Sequence, residues 1–445
     1  MLKEILLAIK DLVETEDFEN AMPLIYEVLE QDNDNVPALN FLGYIYLVSG
    51  QDAFAYQTFA RAVSLDPMNK TVLVNWGKSK HELGKFEEAI KDFLRAAEID
   101  HNYAMAYANA SASLIQMSQW NDAEKAANLA LECDPKEPTA NMNLAHCYLA
   151  KGDWERGWKH FDISLGSKMR KEYAYGNEKR WTGEKGQAVV IYGEQGLGDE
   201  VMYASIINDA IKDCKKVIID CDRRLESLFK RSFPKADVYG TRLNKNPSWL
   251  ESARIDARCA IGALGGFYRK KDSDFSGEPY LVADPERRLM WRSLFDSYKK
   301  PVIGITSHGG FKKNNEAGRT LELDDLRHLL DNPRYEFVSL DYKDGVQHKR
   351  LKQFTFATKS QDYDDTAALI AELDMVIGVN TTAHHVAGAL GVKTITLVPK
   401  YHWWRYARDF VWYKSQTLLR FIGDWKSTIK TIDLDKYDYR RIPRA

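Results

Sequence analysis

The chain has 445 residues, 44% hydrophobic and 28% charged, which is enough apolar matter for two to three cored domains and excludes global disorder. Lysines and arginines against acids give 62 − 64 = −2, so the sequence lacks the basic field on which a duplex nucleic-acid binder rests. No stretch approaches the roughly 20 apolar residues of a membrane span. The 5 cysteines form no CxxC pair, so free thiols in a reducing, cytoplasmic setting and no structural zinc are expected.

The opening MLKEILLAIKDLVETEDF reads as an amphipathic helix without a secretory cleavage pattern. From Leu2 the chain repeats every 34 residues, in blocks 2–35, 36–69, 70–103 and 104–137 with a partial fifth from Pro138. Leu42-Gly43, Tyr46, Gly50, Ala55, Phe59, Ala62 and Pro67 return one period later as Trp76-Gly77, Gly84, Ala89, Phe93 and Ala96. The next blocks carry Ala123, Ala127, Ala130 and Pro135, then Leu144-Ala145, Tyr148 and Gly152. This pattern resembles the tetratricopeptide repeat, a helix–turn–helix unit whose stacked copies bury what one copy cannot. The first block, with Glu16 where a turn glycine would stand, suits an atypical cap. Both pure scaffolding and specific binding on the concave face are open for such a solenoid.

After Asp153 the repeat decays into an aromatic, polar stretch ending near Gln187, read as a last solenoid helix plus a connector. Apolar runs at 188–194, 216–222, 237–239, near 260 and near 280 then read as strands, with helical patterns at 199–212 and 223–231 between them. A second set has strands at 302–307, 337–342, 375–379 and 394–399 and helices at 322–331, 364–373 and 382–390. Alternation of this kind predicts parallel sheets with crossover helices, and therefore crevices at the carboxyl ends of the strands. The expected division is a solenoid over 1–165, a connector over 166–187 and Rossmann-like halves over 188–298 and 299–445.

Four constellations can carry chemistry. Gly193-Glu194-Gln195-Gly196-Leu197-Gly198-Asp199 joins a strand to a helix, and its spacing is neither the dinucleotide fingerprint nor a P-loop. Asp199 there is either a helix cap or a carboxylate projecting into the crevice as a general base. Gly378-Val379-Asn380-Thr381-Thr382-Ala383-His384-His385 is again strand then helix. Asn380 or Thr381 would cap that helix, and its first-turn N–H groups would attract a phosphate beside a histidine. Adjacent histidines diverge on a helix and no third ligand stands at useful spacing, so a metal is not expected. The loop from Ser307 through His308, Gly309, Gly310, Phe311 and Lys312, continued by Gly318-Arg319-Thr320, is either a phosphate cradle or an ordinary basic loop. The run Tyr401-His402-Trp403-Trp404-Arg405-Tyr406, with Trp412, Tyr413 and Trp425, either stacks on a base or sugar or packs between domains.

The segment GEQGLGD, the run YDDTAALIAELDMVIGVNTTAHHVAGALG and the tail from HWWRYARD through WYKSQTLLRFIGDW resemble the tetratricopeptide-repeat-linked glycosyltransferases of bacteria and phages. Their catalytic part is similar to the lipopolysaccharide heptosyltransferases and, more distantly, to the protein O-linked N-acetylglucosamine transferases. The resemblance spans essentially the whole chain. It implies an α + α/β architecture, a repeat solenoid followed by a GT-B fold of two Rossmann-like domains, and an inverting, metal-independent transfer with no cofactor. It further implies Asp199 as the base, with Gly196 and Gly198 in the loop beside the nucleotide-sugar. Asn380, Thr381, Thr382, His385 and Arg319 are implied around the donor diphosphate. Asp365 and Thr366 match the DTA element, which implies either a structural or a nucleotide-side role, and His308, Lys312, Trp403, Trp404 and Arg405 are donor or cleft contacts by the same implication, as Asp365 and Thr366 would be in the second role. The partners implied are a nucleotide-sugar, a protein or glycan acceptor and a protein on the repeats. The sequence departs from the pattern at Asn380 (usually Asp), His384 (usually Ala), Ser205 (usually Arg) and the loop Thr306–Gly310. A degenerate, non-catalytic binding scaffold is the alternative, whereas a nicotinamide oxidoreductase fails on the missing fingerprint.

Overall fold

The 34-residue period is realised as stacked helix pairs in the computed structural model, which describes residues 2–167, 169–242, 244, 246–309, 320–342, 345–359, 361–399 and 412–439. The pairs are α1 (Leu2–Glu14) with α2 (Phe18–Gln31) and α3 (Val36–Val48) with α4 (Asp52–Leu65). They continue as α5 (Lys70–Glu82) with α6 (Phe86–Ile99) and α7 (Ala104–Gln116) with α8 (Trp120–Cys133), followed by α9 (Pro138–Lys151). The turn inside each pair needs one left-handed residue, and it falls at Glu16, Gly50, Gly84, Ser118 and Gly152 with φ between 58° and 77°, one repeat apart. Glycine meets that need without strain; Glu16 and Ser118 meet it against their side chains' preference. Asp17, Asn35 and Asn69 cap the helices that follow them. Ala55, Phe59, Ala62, Ala89, Phe93 and Ala96 are fully or almost fully buried, as expected of the small and aromatic repeat positions.

The chain forms two compact units, one up to Cys147 and one from Tyr148 onward, so the division falls before the expected end of the solenoid at 165. The reason lies in α10 (Trp154–Ile163): its Trp154 Nε1 donates to Asp272 at 2.9 Å and its Trp158 Nε1 to the Arg269 carbonyl at 2.7 Å. That helix belongs to the α/β unit and still pairs with α9 across the Gly152 turn, its His160 ring 5.5 Å from that of Tyr148. The expected connector also contains structure, a two-residue strand β1 (Lys179–Arg180) on the edge of the first sheet.

That sheet continues with β2 (Ala188–Tyr192), β3 (Lys216–Asp220), β4 (Asp237–Tyr239) and β5 (Ala257–Ala260), all parallel, in the order β1-β5-β2-β3-β4. Its helices are α11 (Leu197–Tyr203), α12 (Ile207–Asp213), α13 (Glu226–Ser232) and α14 (Leu264–Tyr268). The helix α15 (Pro285–Ser297) leads to the second sheet, with strands β6 (Val302–Thr306), β7 (Glu336–Ser339), β8 (Leu351–Gln353), β9 (Met375–Val379), β10 (Thr394–Val398) and β11 (Gln416–Arg420). They run β8-β7-β6-β9-β10-β11, again all parallel, between α16 (Leu323–Leu330), α17 (Thr355–Thr358), α18 (Tyr363–Ala371), α19 (Thr382–Ala389) and α20 (Trp425–Lys430). Counting from β2 and from β6, each order turns back between its first and fourth strands, β2 beside β5 and β6 beside β9.

The expected strand near 280 is absent. Tyr280 and Leu281 instead donate both backbone N–H groups to the Ala389 carbonyl at the end of α19, at 2.9 and 3.1 Å. Among the described residues no helix is long and apolar enough to cross a membrane.

Candidate functional site

Ligands of parallel α/β sheets sit outside the carboxyl ends of the strands where the order reverses. In the second sheet that place is the end of β6 and β9. Gly378 permits it: with φ 144°, a Cβ there would lie 1.9 Å from the Thr306 carbonyl oxygen, so β9 passes β6 at a distance no side chain allows. Thr306 Oγ1 donates to the Val379 carbonyl at 2.9 Å and stands 3.2 Å from His384 Nδ1, which fixes the turn from below. The sidechain of His384, an expected departure, is thus buried in the sheet's roof rather than offered to a ligand.

Thr381 is the N-cap of α19, but its side chain makes no cap bond, and its buried Oγ1 has no partner among the described residues. Its carbonyl takes the N–H groups of His384 and His385 at 3.0 and 3.3 Å. The N–H groups of Thr382 and Ala383 find no acceptor among the described residues. Asn380 precedes them at the end of β9, 9% exposed. His385 is 5% exposed and its Nδ1 lies 3.0 Å from the Tyr413 hydroxyl, so the ring is held from behind. The structure therefore brings Asn380, Thr381, Thr382 and His385 together around one open helix end, where partial positive charge is unspent.

The glycine loop of the first sheet meets this helix end. A Cβ on Gly198 would stand 3.1 Å from His385 Cδ2 and 3.5 Å from Thr382 Oγ1, so α11 and α19 touch at their N-termini only because residue 198 has no side chain. Asp199 Oδ2 accepts the Gly196 N–H at 3.0 Å, a cap reaching back from the third helical residue. Asp199 remains half-buried rather than enclosed. The cap and base readings of the sequence are not exclusive in this geometry.

Below the loop, charges hold it in place. Arg242 donates to the Gln195 carbonyl at 2.7 Å and pairs with Asp222 at 3.1 Å and with Glu200. Glu200 also accepts the Asp222 N–H at 2.9 Å, and burial pushes its carboxyl up to about 8 against the pull of Arg242. Arg170, from the expected connector, pairs with Glu194 at 2.8 Å with both side chains fully buried, and Glu194 takes the Gly262 N–H at 3.2 Å. These bonds join the ends of β2, β3 and β5 into one rigid floor.

Two residues here escaped the sequence reading, and a third was read there only as one ring of an aromatic run. Arg224 forks onto Asp222 at 2.9 and 3.0 Å. Tyr363 is hydrogen-bonded to Thr382 near Arg224, and burial pushes its phenol up to about 12. Tyr413 backs His385. A basic residue just past the strand 216–222 was the available signal for Arg224; nothing in the sequence singles out Tyr363 from the other 22 tyrosines, whereas Tyr413 was read as a stacking or packing ring.

The remaining expected residues separate. His308 follows β6 with its Nδ1 2.9 Å from Ser307 Oγ, and the N–H groups of both residues donate to Asp341, whose carboxyl burial pushes up. Asp365 and Thr366 make structural contacts, one of the two roles implied for them. Asp365 pairs with Arg287 at 2.7 Å, tying α18 to α15, and the buried Thr366 donates its hydroxyl to the Ala357 carbonyl at 2.6 Å. Lys312, Arg319, Trp403, Trp404 and Arg405 lie outside the described residues.

Comparison with known proteins agrees with the repeats most directly. Residues 71–103 match the tetratricopeptide repeat family. The N-terminal helix pairs are tetratricopeptide repeats. Protein FlbA of Caulobacter vibrioides is 26% identical over 391 residues, covering 81% of this chain and 64% of FlbA, so the chain spans just under two thirds of that relative's length. A protein of Hordeum vulgare, the probable UDP-N-acetylglucosamine–peptide N-acetylglucosaminyltransferase SPINDLY, is 32% identical over 118 residues, 24% of this chain and 12% of SPINDLY. Among solved structures, PilF of Pseudomonas aeruginosa is similar over 37% of this chain and 74% of its own, at 19% identity and a TM-score of 0.34.

Proposed function

We propose that the chain is an inverting, metal-independent glycosyltransferase of GT-B type. It moves a sugar from a nucleoside-diphosphate sugar to a hydroxyl of a protein or glycan acceptor that the repeats help recruit. The observation that carries this reading is the meeting of Gly198 with Thr382 and His385, which sets a carboxylate on one sheet beside an open helix end on the other. The partial likeness to SPINDLY, whose name states such a transfer, supports it.

In this reading the diphosphate lies on the N–H groups of Thr382 and Ala383, with the hydroxyls of Thr381 and Thr382 and the ring of His385 around it. Asp199 takes the proton of the acceptor hydroxyl as that oxygen bonds to the anomeric carbon. The bond from that carbon to the diphosphate oxygen breaks, and the departing group's charge is met by groups already aimed at it. Arg319 is assigned to the same charge from the loop after β6. The two parallel sheets are the Rossmann-like halves of the reading, and the order of the second is the 3-2-1-4-5-6 of doubly wound nucleotide-binding folds.

Calorimetric titration of the full chain with UDP, GDP, ADP, CDP and TDP, first without metal and then with Mg²⁺, tests the donor side. Selective binding of one diphosphate without metal is expected, and each tenfold preference is worth about 1.4 kcal/mol. Failure of the whole panel overturns the reading. A binding scaffold is the second reading, and the bond from Gly196 N–H to Asp199 favours it, because a capping carboxylate has structural work without any chemistry. It requires that Asp199→Ala leave partner binding intact and that no donor turn over.

A further inference from the structure

Behind the first sheet the α/β unit holds a cavity of about 480 Å³, within the range of small-molecule sites. Tyr192 at the end of β2 and Cys259 and Ala260 at the end of β5 line it. Those are the two strands between which the first sheet's order turns back, so the cavity stands at a reversal of its own, as the proposed donor site stands at that of the second sheet.

Its chemistry differs from that of the donor site. Trp158, Trp181 and Phe267 contribute rings. The indole N–H groups are already spent, Trp158 on the Arg269 carbonyl at 2.7 Å and Trp181 on the Glu184 carbonyl at 3.0 Å. What those two rings present to the cavity is therefore carbon alone. Lys159, Arg180, Arg258 and Lys270 also line it, with Glu155 and Asp162 among them. Both arginines bond Glu172, at 2.7 and 3.0 Å, and Arg258 reaches Glu178 at 3.4 Å, so carboxylates outside the lining balance the two arginines, while Glu155 and Asp162 in the lining match Lys159 and Lys270 in number. The Arg180 side chain holds Glu172 down at about 2, which keeps that balance across the neutral range.

A balanced cavity exerts no net pull on a diphosphate or on a cation. Its charged heads are nevertheless strong hydrogen-bond partners for neutral hydroxyls. Those of Lys159, Asp162 and Lys270 make no hydrogen bond or ion pair among the described residues. We infer that this cavity is a binding site for a neutral sugar, whose C–H faces lie on Trp158, Trp181 and Phe267 and whose hydroxyls bond Asp162, Lys159 and Lys270. The inference does not rest on the transferase reading and survives its failure.

Saturation-transfer NMR on the full chain tests it, with the methyl glycosides of glucose, galactose, mannose and N-acetylglucosamine as probes and indole as an apolar control. Gly266→Leu is the filling variant, because Gly266 lines the cavity and a Cβ there meets only Trp158 Cβ, at an ordinary 3.6 Å. Asp162→Asn, on an exposed position of α10, is a second variant that leaves the packing alone. At least one glycoside is expected to bind, to weaken about tenfold or more in Gly266→Leu and less in Asp162→Asn, and to stay bound in saturating UDP. Binding of indole alone, transfer from none of the four glycosides, transfer unchanged in both variants, or displacement by UDP would each overturn the inference. If Gly266→Leu fails to fold, Asp162→Asn and the UDP competition decide.

Discussion

The turns after β2 and after β9 are built alike, a buried strand, small residues and a helix, yet their helix ends are opposite. In the first, the carboxylate of Asp199 reaches back to the N–H of the N-cap residue Gly196. In the second, the side chain of Thr381 makes no cap bond and no described residue's side chain reaches back to the turn's entry. One side-chain oxygen, three residues into the helix, is what distinguishes the first turn from the second.

The sharpest way to break this contrast is Asp199→Asn, which keeps an oxygen for the Gly196 N–H but cannot accept a proton. Turnover of the nucleotide-sugar is expected to fall by about 10²–10⁴-fold with the melting temperature nearly unchanged. Unaltered turnover would leave the first turn purely structural. Gly378→Ala strikes beneath the second turn, and forcing β6 and β9 apart is expected to cost about 3 kcal/mol, read from the urea midpoint. Thr381→Asp should give the open turn a capping carboxylate at its own N-cap. Affinity for the diphosphate is expected to drop about tenfold while stability rises by about 0.5–1 kcal/mol. The smallest effect is a comparison of alanine variants: Asp199→Ala should cost about 1 kcal/mol, and Thr381→Ala only a few tenths, since no cap bond is lost. Equal losses would show the two ends to be alike after all.

The repeats were legible because their rule is local: a left-handed turn and a small-to-aromatic contact recur at fixed spacing, so Gly50 and Gly84 announce what Glu16 and Ser118 also do. Strands buried on both faces, such as Met375–Val379 and Thr394–Val398, were legible as apolar runs. Of the edge strands only Asp237–Tyr239 was read. Lys179–Arg180 and Leu351–Gln353 are two and three residues long, and pairing with a neighbour far along the chain, rather than their own composition, makes them strands. The run at 280 misled for the converse reason: its apolar pattern serves a crossing to Ala389, not a ladder. In the site, the glycines and the helix start could be read from strand–turn–helix order. Tyr363 and Arg224 could not, because they arrive from other elements and only the packing of α18 and β3's end brings them there; Tyr413 was read as a ring but not as the partner of His385.

The Arg170–Glu194 pair has a bearing on how such a chain can diverge. Removing either partner leaves a bare charge sealed from water, at about 3–5 kcal/mol, whereas replacing both by apolar groups of matching volume is close to neutral. Single-step substitution at either position is thus blocked while the double change is open. The two positions are epistatic, and in relatives they should be inherited or lost as a unit.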